Sequence, residues 1–198
     1  MLLYDFLPSG NGYKVRLLLS QLGIRFTLVE KQIFAGETRT PDFLAVNPNG
    51  RIPVLELDDG RRLAESDAIL FYLAESTGFL PADRFARAQV LQWMFFEQYS
   101  HEPYIAVARR LRHMDRKPVP PELTERGYEA LGVMERQLAG RTFFVSDVYS
   151  IADIALYAYT HVADEGGFDL TGYPAVRAWL ARVAAQPGHV PITKRDFA

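Results

Sequence analysis

An α/β unit over residues 1–77 followed by an all-helical region over 84–198 is the fold class the sequence predicts, α/β plus all-α. Three observations carry it. Short apolar runs that read as strands alternate with helical runs only in the first part of the chain. Beyond Gly78-Phe-Leu-Pro81 and Asp83 no further strand pattern follows. Pro53 stands where the apolar strand of Val54, Leu55 and Leu57 begins, a place for a sharp turn, since proline cannot donate a ladder hydrogen bond and makes a cis bond inexpensive.

Taken in order, Leu2 to Phe6 reads as a strand that Pro8-Ser-Gly-Asn-Gly12 breaks. Val15, Leu18, Leu19 and Leu22 fall at helical spacing from Tyr13, and Gly23 stops that helix. Phe26 to Ile33 is a second strand, so the opening is β-α-β with parallel strands. A short helix lies near Pro41 to Val46. Pro53 to Leu57 and Arg62 to Ala64 form a hairpin across Asp58-Asp59-Gly60. A helix from Ser66 to Ser76, with Ser66 as its cap, completes a β-α-β-α-β-β-α unit. Next comes one long helix, Phe85 to His113, bent near Pro103, and then Glu122 to Leu138 after Pro118, Pro120 and Pro121. Ser150-Ile-Ala-Asp153 is a capping box, with Tyr149 placed to staple onto Ile154, and Tyr173-Pro174 opens the last helix.

Composition narrows the function. With 48% hydrophobic residues in 198, the chain can bury one good core or two small ones. A net charge of −2 without a basic run disfavours nucleic acid. No apolar run approaches the ~20 residues a bilayer needs, and the start Met1-Leu-Leu-Tyr-Asp has no basic region before it, so a cytoplasmic protein is expected. The absence of cysteine removes disulfides, thiolate metal sites and any protein thiol nucleophile; thiol chemistry here needs an imported thiol. The four histidines show no metal-ligand spacing, and no metal is expected.

Two stretches look like sockets. At Asn47-Pro-Asn-Gly-Arg-Ile-Pro-Val, a proline turn leaves the backbone N–H and C=O of Ile52 facing outward, where an extended peptide can pair with it. At Glu65-Ser66, the start of a helix offers N–H groups to a carboxylate. Together they suit a small anionic peptide. Gly10-x-Gly12 with Glu30 imitates a dinucleotide fingerprint, but Val15 takes the third glycine position and no second mononucleotide half follows.

In this order and spacing, Pro8-Ser9-Gly-Asn11, Arg51-Ile52-Pro53, Glu65-Ser66 and Ser150-Ile-Ala-Asp153 make the chain resemble a cytosolic glutathione transferase over essentially its whole length. The resemblance implies a thioredoxin-like domain that binds glutathione and a helical domain that supplies a hydrophobic co-substrate pocket. Ile52 beside Pro53 would then pair with the cysteinyl part of glutathione, Glu65 and Ser66 would hold the γ-glutamyl end, and Arg51 would reach the glycyl carboxylate. Ser150 and Asp153 match the family's structural cap. Tyr99, Tyr104 and Arg109 are the residues read for the co-substrate pocket. A homodimer is expected, from the family and from the aromatic load of the long helix.

The thiol-activating position of the serine type falls on Ser9, while the tyrosine-type position falls on Leu7, so a tyrosine mechanism is disfavoured. Pro-Ser-Gly-Asn-Gly is also similar to the bacterial nu class, where a Thr and an Asn two residues later address the sulfur; this brings in Asn11. Either residue is read alternatively as an ordinary turn or cap residue. Lowering a thiol pKa from about 8.5 to about 6.5 takes roughly 2.7 kcal/mol. One hydrogen bond to a charged sulfur supplies ~1.5–3 and a helix N-terminus ~0.3–1, so one hydroxyl or amide suffices. The expected activity is attack of the glutathione thiolate on a small hydrophobic electrophile. Glutathione-dependent disulfide or peroxide reduction, or binding without catalysis, are the alternatives.

Overall fold

A four-stranded mixed sheet organises the first half of the computed structural model, which describes residues 1–197. The elements are β1 (Leu2–Asp5), α1 (Gly10–Gln21), β2 (Thr27–Glu30), α2 (Pro41–Val46), β3 (Val54–Glu56), β4 (Arg62–Ala64) and α3 (Ser66–Ala74). Strand order is β2-β1-β3-β4. β1 and β2 are parallel with Leu3 opposite Leu28, whereas β1 with β3 and β3 with β4 are antiparallel, with Leu55 opposite both Leu3 and Leu63. This is the thioredoxin-like β-α-β-α-β-β-α order. β2 is shorter than the expected Phe26–Ile33, because the chain turns into a 3-10 helix at Ile33–Ala35.

Contacts divide the chain into residues Met1–Glu75 together with the tail from Pro187 onward, and residues Ser76–Gln186. The sequence reading grouped the tail with the helices. Its place in the first unit has a cause on α1, where Lys14 and Arg16 are as completely buried as Val15, Leu18 and Leu19. Tyr13 Oη donates to Val190 O at 2.7 Å, Arg16 Nη1 to Ile192 O at 3.0 Å and Ser20 Oγ to Gly188 O at 2.9 Å. The Phe197 ring packs against Phe26 at 5.0 Å.

The second unit holds α4 (Arg84–Phe96), α5 (Glu102–Arg109), α6 (Pro121–Leu138), α7 (Ile151–Thr160) and α8 (Pro174–Ala184). α4 and α5 are joined through a π-helical turn, Glu97–His101, in which Glu102 N–H bonds Glu97 O. Pro103 follows at once and has no N–H to donate back to the preceding turn, so the expected bend takes the form of this wider turn. Every residue of α7 is buried, which makes it the axis of the unit. The Ser150 and Asp153 capping box is formed, and the Asp153 carboxylate also accepts from Phe144 N–H at 3.2 Å and Trp179 Nε1–H at 2.9 Å. Burial pushes this carboxyl up to about 6 against those donors. Tyr149, read as a staple onto Ile154, packs its ring against Phe79 and Phe143. Among the described residues no helix is long and apolar enough to cross a membrane.

Candidate active site

Sheet topology alone gathers three loops at one edge. β1 ends at Asp5, β3 begins opposite Tyr4 at Val54, and β4 ends at Ala64 opposite Val54. The Phe6–Ser9 loop, the Ile52-Pro53 turn and Glu65-Ser66 therefore leave the sheet at the same end.

The first loop is held from beneath by a buried ion pair. Asp5 Oδ2 accepts from Arg16 Nε at 2.8 Å, both side chains being fully buried, and Asp5 Oδ1 accepts from Phe6 N–H at 2.7 Å. Arg16 Nη2 donates to Leu7 O at 2.6 Å, so the pair grips the backbone that carries Ser9. Phe6 and Leu7 are buried. A Cβ on Gly12 would lie 1.6 Å from Asp5 Oδ1, so only glycine lets the first turn of α1 come this close. Ser9 is the N-cap of α1, its Oγ accepting from Gly12 N–H at 3.3 Å. A hydroxyl that accepts in this way still has its own proton to donate.

Asn11 and Ser66 are brought together, with Ser66 Oγ donating to Asn11 Oδ1 at 3.5 Å. Lys14, wholly buried, donates to the same Ser66 oxygen at 3.3 Å and to Asp67 Oδ1 at 3.0 Å. This corrects the reading of Ser66 as a helix cap. Ser66 is the first residue of α3, the N-cap is Glu65, and no side chain caps this helix. The Ser66 oxygen is instead turned to the Lys14 ammonium. Glu65 is exposed and takes φ 67 and ψ 115, a backbone costing ~1–3 kcal/mol for a non-glycine residue and therefore imposed by its surroundings.

The second loop is built by Asn47, a buried side chain whose Nδ2 donates to Arg51 O at 2.8 Å while its Oδ1 accepts from Asn49 N–H at 3.1 Å. The Ile52-Pro53 bond is cis, and Ile52 lies outside the β3 ladder, which starts at Val54. Pro53 is buried, Ile52 half-buried and Arg51 exposed.

Of the residues read for a co-substrate pocket, Tyr99 is 83% exposed on the π turn and Tyr104 is half-buried on α5. Arg109 is buried and its Nε is paired with Glu165, which ties α5 to the Ala163–Gly166 turn. Sequence reasoning missed Lys14 and Arg16. Their signal was available as two cations inside the apolar spacing of Val15, Leu18 and Leu19, but the partners stand 11 and 53 residues away. Among the described residues no group of three or more His, Cys, Asp or Glu could hold a metal ion.

A thioredoxin-like unit with a proline turn and a Glu-Ser helix start at one sheet edge, followed by an all-helical unit, defines the glutathione transferase class. The chain belongs to the glutathione S-transferase family: residues 1–75 match the family model of the N-terminal domain and residues 92–187 that of the C-terminal domain. It is 54% identical to a glutathione S-transferase from Pseudomonas fluorescens Pf-5, whose crystal structure superposes with a TM-score of 0.94 over 98% of each chain. It is 32% identical to the disulfide-bond oxidoreductase YfcG of Escherichia coli K12, over 92% of this chain and 89% of that protein. Ure2p in complex with glutathione superposes with a TM-score of 0.85 at 28% identity, covering 94% of this chain and 95% of that one.

Proposed function

We propose that the first unit binds glutathione and that the chain holds its thiol as a thiolate for attack on a small hydrophobic electrophile. The observation that carries the reading is the convergence of the three loops at one end of the sheet. Glu65 is an exposed carboxylate suited to the γ-glutamyl ammonium, and the helix start at Ser66 suits the carboxylate beside it. Ile52, outside the ladder, offers its backbone to the cysteinyl part, with Pro53 shaping the turn, and exposed Arg51 offers a guanidinium to the glycyl carboxylate. These groups fit the charges and length of the tripeptide. Bound glutathione supplies the nucleophilic sulfur that a chain without cysteine lacks. We assign Asn11 as the amide donor to that sulfur, and Ser9 as the cap of α1 with a hydroxyl proton still to donate. Tyr99 and Tyr104 remain the residues assigned to the co-substrate, whereas Arg109 holds the Ala163–Gly166 turn.

The relationship to YfcG favours a second reading, glutathione-dependent disulfide reduction. There the thiolate attacks a disulfide sulfur, one thiol leaves, and a second glutathione resolves the mixed disulfide, the two glutathione thiols supplying both electrons. Assays of Ser9→Ala and Asn11→Ala with a reactive aryl halide and with a small disulfide, alongside thiolate absorbance, decide the roles. Asn11→Ala is expected to lose about tenfold, ~1.4 kcal/mol, in whichever reaction the wild type performs, and Ser9→Ala less. The reverse ranking moves the sulfur contact to Ser9. Glutathione binding without either turnover marks a binding module, and no binding of reduced or oxidised glutathione ends the reading.

We also propose a homodimer, supported by the exposed Phe85, Phe95 and Tyr99 in the second unit and Tyr72 and Phe34 in the first. Sedimentation at the monomer mass at micromolar concentration would count against it.

A further inference from the structure

We infer that Lys14 is a positioning residue for the sulfur donor, acting through Ser66 on Asn11; the inference rests on the glutathione reading above. The chemistry of the three side chains sets the direction of each bond. A lysine ammonium has three donors and no acceptor, so the Ser66 oxygen must accept from Lys14 Nζ at 3.3 Å. Ser66 has a single proton, and the remaining neighbour for it is the Asn11 side chain at 3.5 Å. The Asn11 atom on that side must then be the carbonyl oxygen, which turns the amide N–H₂ the other way, as a donor. A neutral serine without the lysine beneath it has no such preference, since it donates or accepts with equal ease.

Asp67 Oδ1, 3.0 Å from Lys14 Nζ, is the counter-ion of the ammonium in this buried place. The other oxygen, Asp67 Oδ2, is buried with no hydrogen-bond partner among the described residues. A cation at one end of a hydrogen-bonded series also polarises the series, which strengthens the outgoing donor at its far end. The arrangement thus has a fixed sense: charge at Lys14, relay at Ser66, delivery at Asn11.

The test measures the pKa of the enzyme-bound glutathione thiol by thiolate absorbance. Lys14→Met leaves the half-buried Asp67 charge without its counter-ion, so Lys14→Met/Asp67→Asn, which removes both charges, is measured beside it as the variant that folds if the single one does not. In the folded variant the bound thiol's pKa is expected to rise by about one unit, with turnover below that pKa falling about tenfold. In an Asn11→Ala background the same replacement should move the pKa by less than about 0.3 unit, because the path through the amide is already cut. An unchanged thiol pKa in a folded, glutathione-binding Lys14 variant overturns the inference while leaving the glutathione reading intact. A full shift that persists in the Asn11→Ala background overturns it as well, since Lys14 then acts directly. Failure of the wild type to bind glutathione removes both.

Discussion

Two buried carboxylates, one in each unit, are held in different ways. In the first unit, Asp5 is paired with the Arg16 guanidinium, and buried Lys14 is paired with Asp67. In the second, where Arg109 is paired with Glu165, Asp153 is fully buried among neutral donors, the indole of Trp179, the backbone of Phe144 and Ser150, and the Ser150 hydroxyl. The ion pairs reach outward, Arg16 to the Leu7 carbonyl below the Ser9 loop and Lys14 to Ser66 beside Asn11. Asp153 reaches nothing but its own helix start and the two segments packed on it. The Asp5 and Lys14 pairs thus hold the loops at one end of the sheet, whereas the Asp153 carboxylate holds the second unit's own packing.

Three measurements sharpen this contrast. Arg16→Met should show the largest effect, about 3–5 kcal/mol in chemical denaturation, because it strands the Asp5 carboxylate in the core. A loss under about 1 kcal/mol would mean that the pair contributes little beyond packing. Asp153→Asn gives a pH signature instead. Burial raises the Asp153 carboxyl to about 6, so the folded state favours the neutral acid. Its contribution is full below the unfolded pKa near 4 and is lost as pH rises toward 6. The wild type's advantage over Asp153→Asn should therefore shrink by up to about 3 kcal/mol between about pH 4 and 6 and be flat above. An advantage that grows over this window would show the four donors outweighing burial. The smallest effect belongs to Ser150→Ala, about 1 kcal/mol, the usual cost of a lost cap, with no change in glutathione chemistry.

What the sequence made legible was local. The Ser150 and Asp153 box could be read because its partners are three residues apart, and the Pro53 turn because proline excludes most alternatives at a strand start. The strand and helix order along the chain followed from periodicity, but the sheet end shared by Ser9, Ile52 and Glu65 depends on β3 lying antiparallel beside β1, a pairing between residues about 50 apart that periodicity does not reveal. Ser66 was misread as a cap because Ser before a helical run ordinarily is one. The competing partner, Lys14, lies 52 residues earlier and leaves no trace near Ser66 in the sequence. The tail was misplaced for the same reason, since Tyr13 and Arg16 look like ordinary helix residues until residues 190 and 192 return to them.

That returning tail also orders events in time during synthesis. Tyr13, Arg16 and Ser20 leave the ribosome early, but the carbonyls of Gly188, Val190 and Ile192 that they bond follow only after residues Ser76–Gln186 have been made. At about 5–20 residues per second, roughly 110 intervening residues impose a wait of about 6–20 s. Throughout that interval the nascent first unit has the Asp5 to Arg16 pair but not its last strap, so its α1 flank stays open to chaperones and proteases longest.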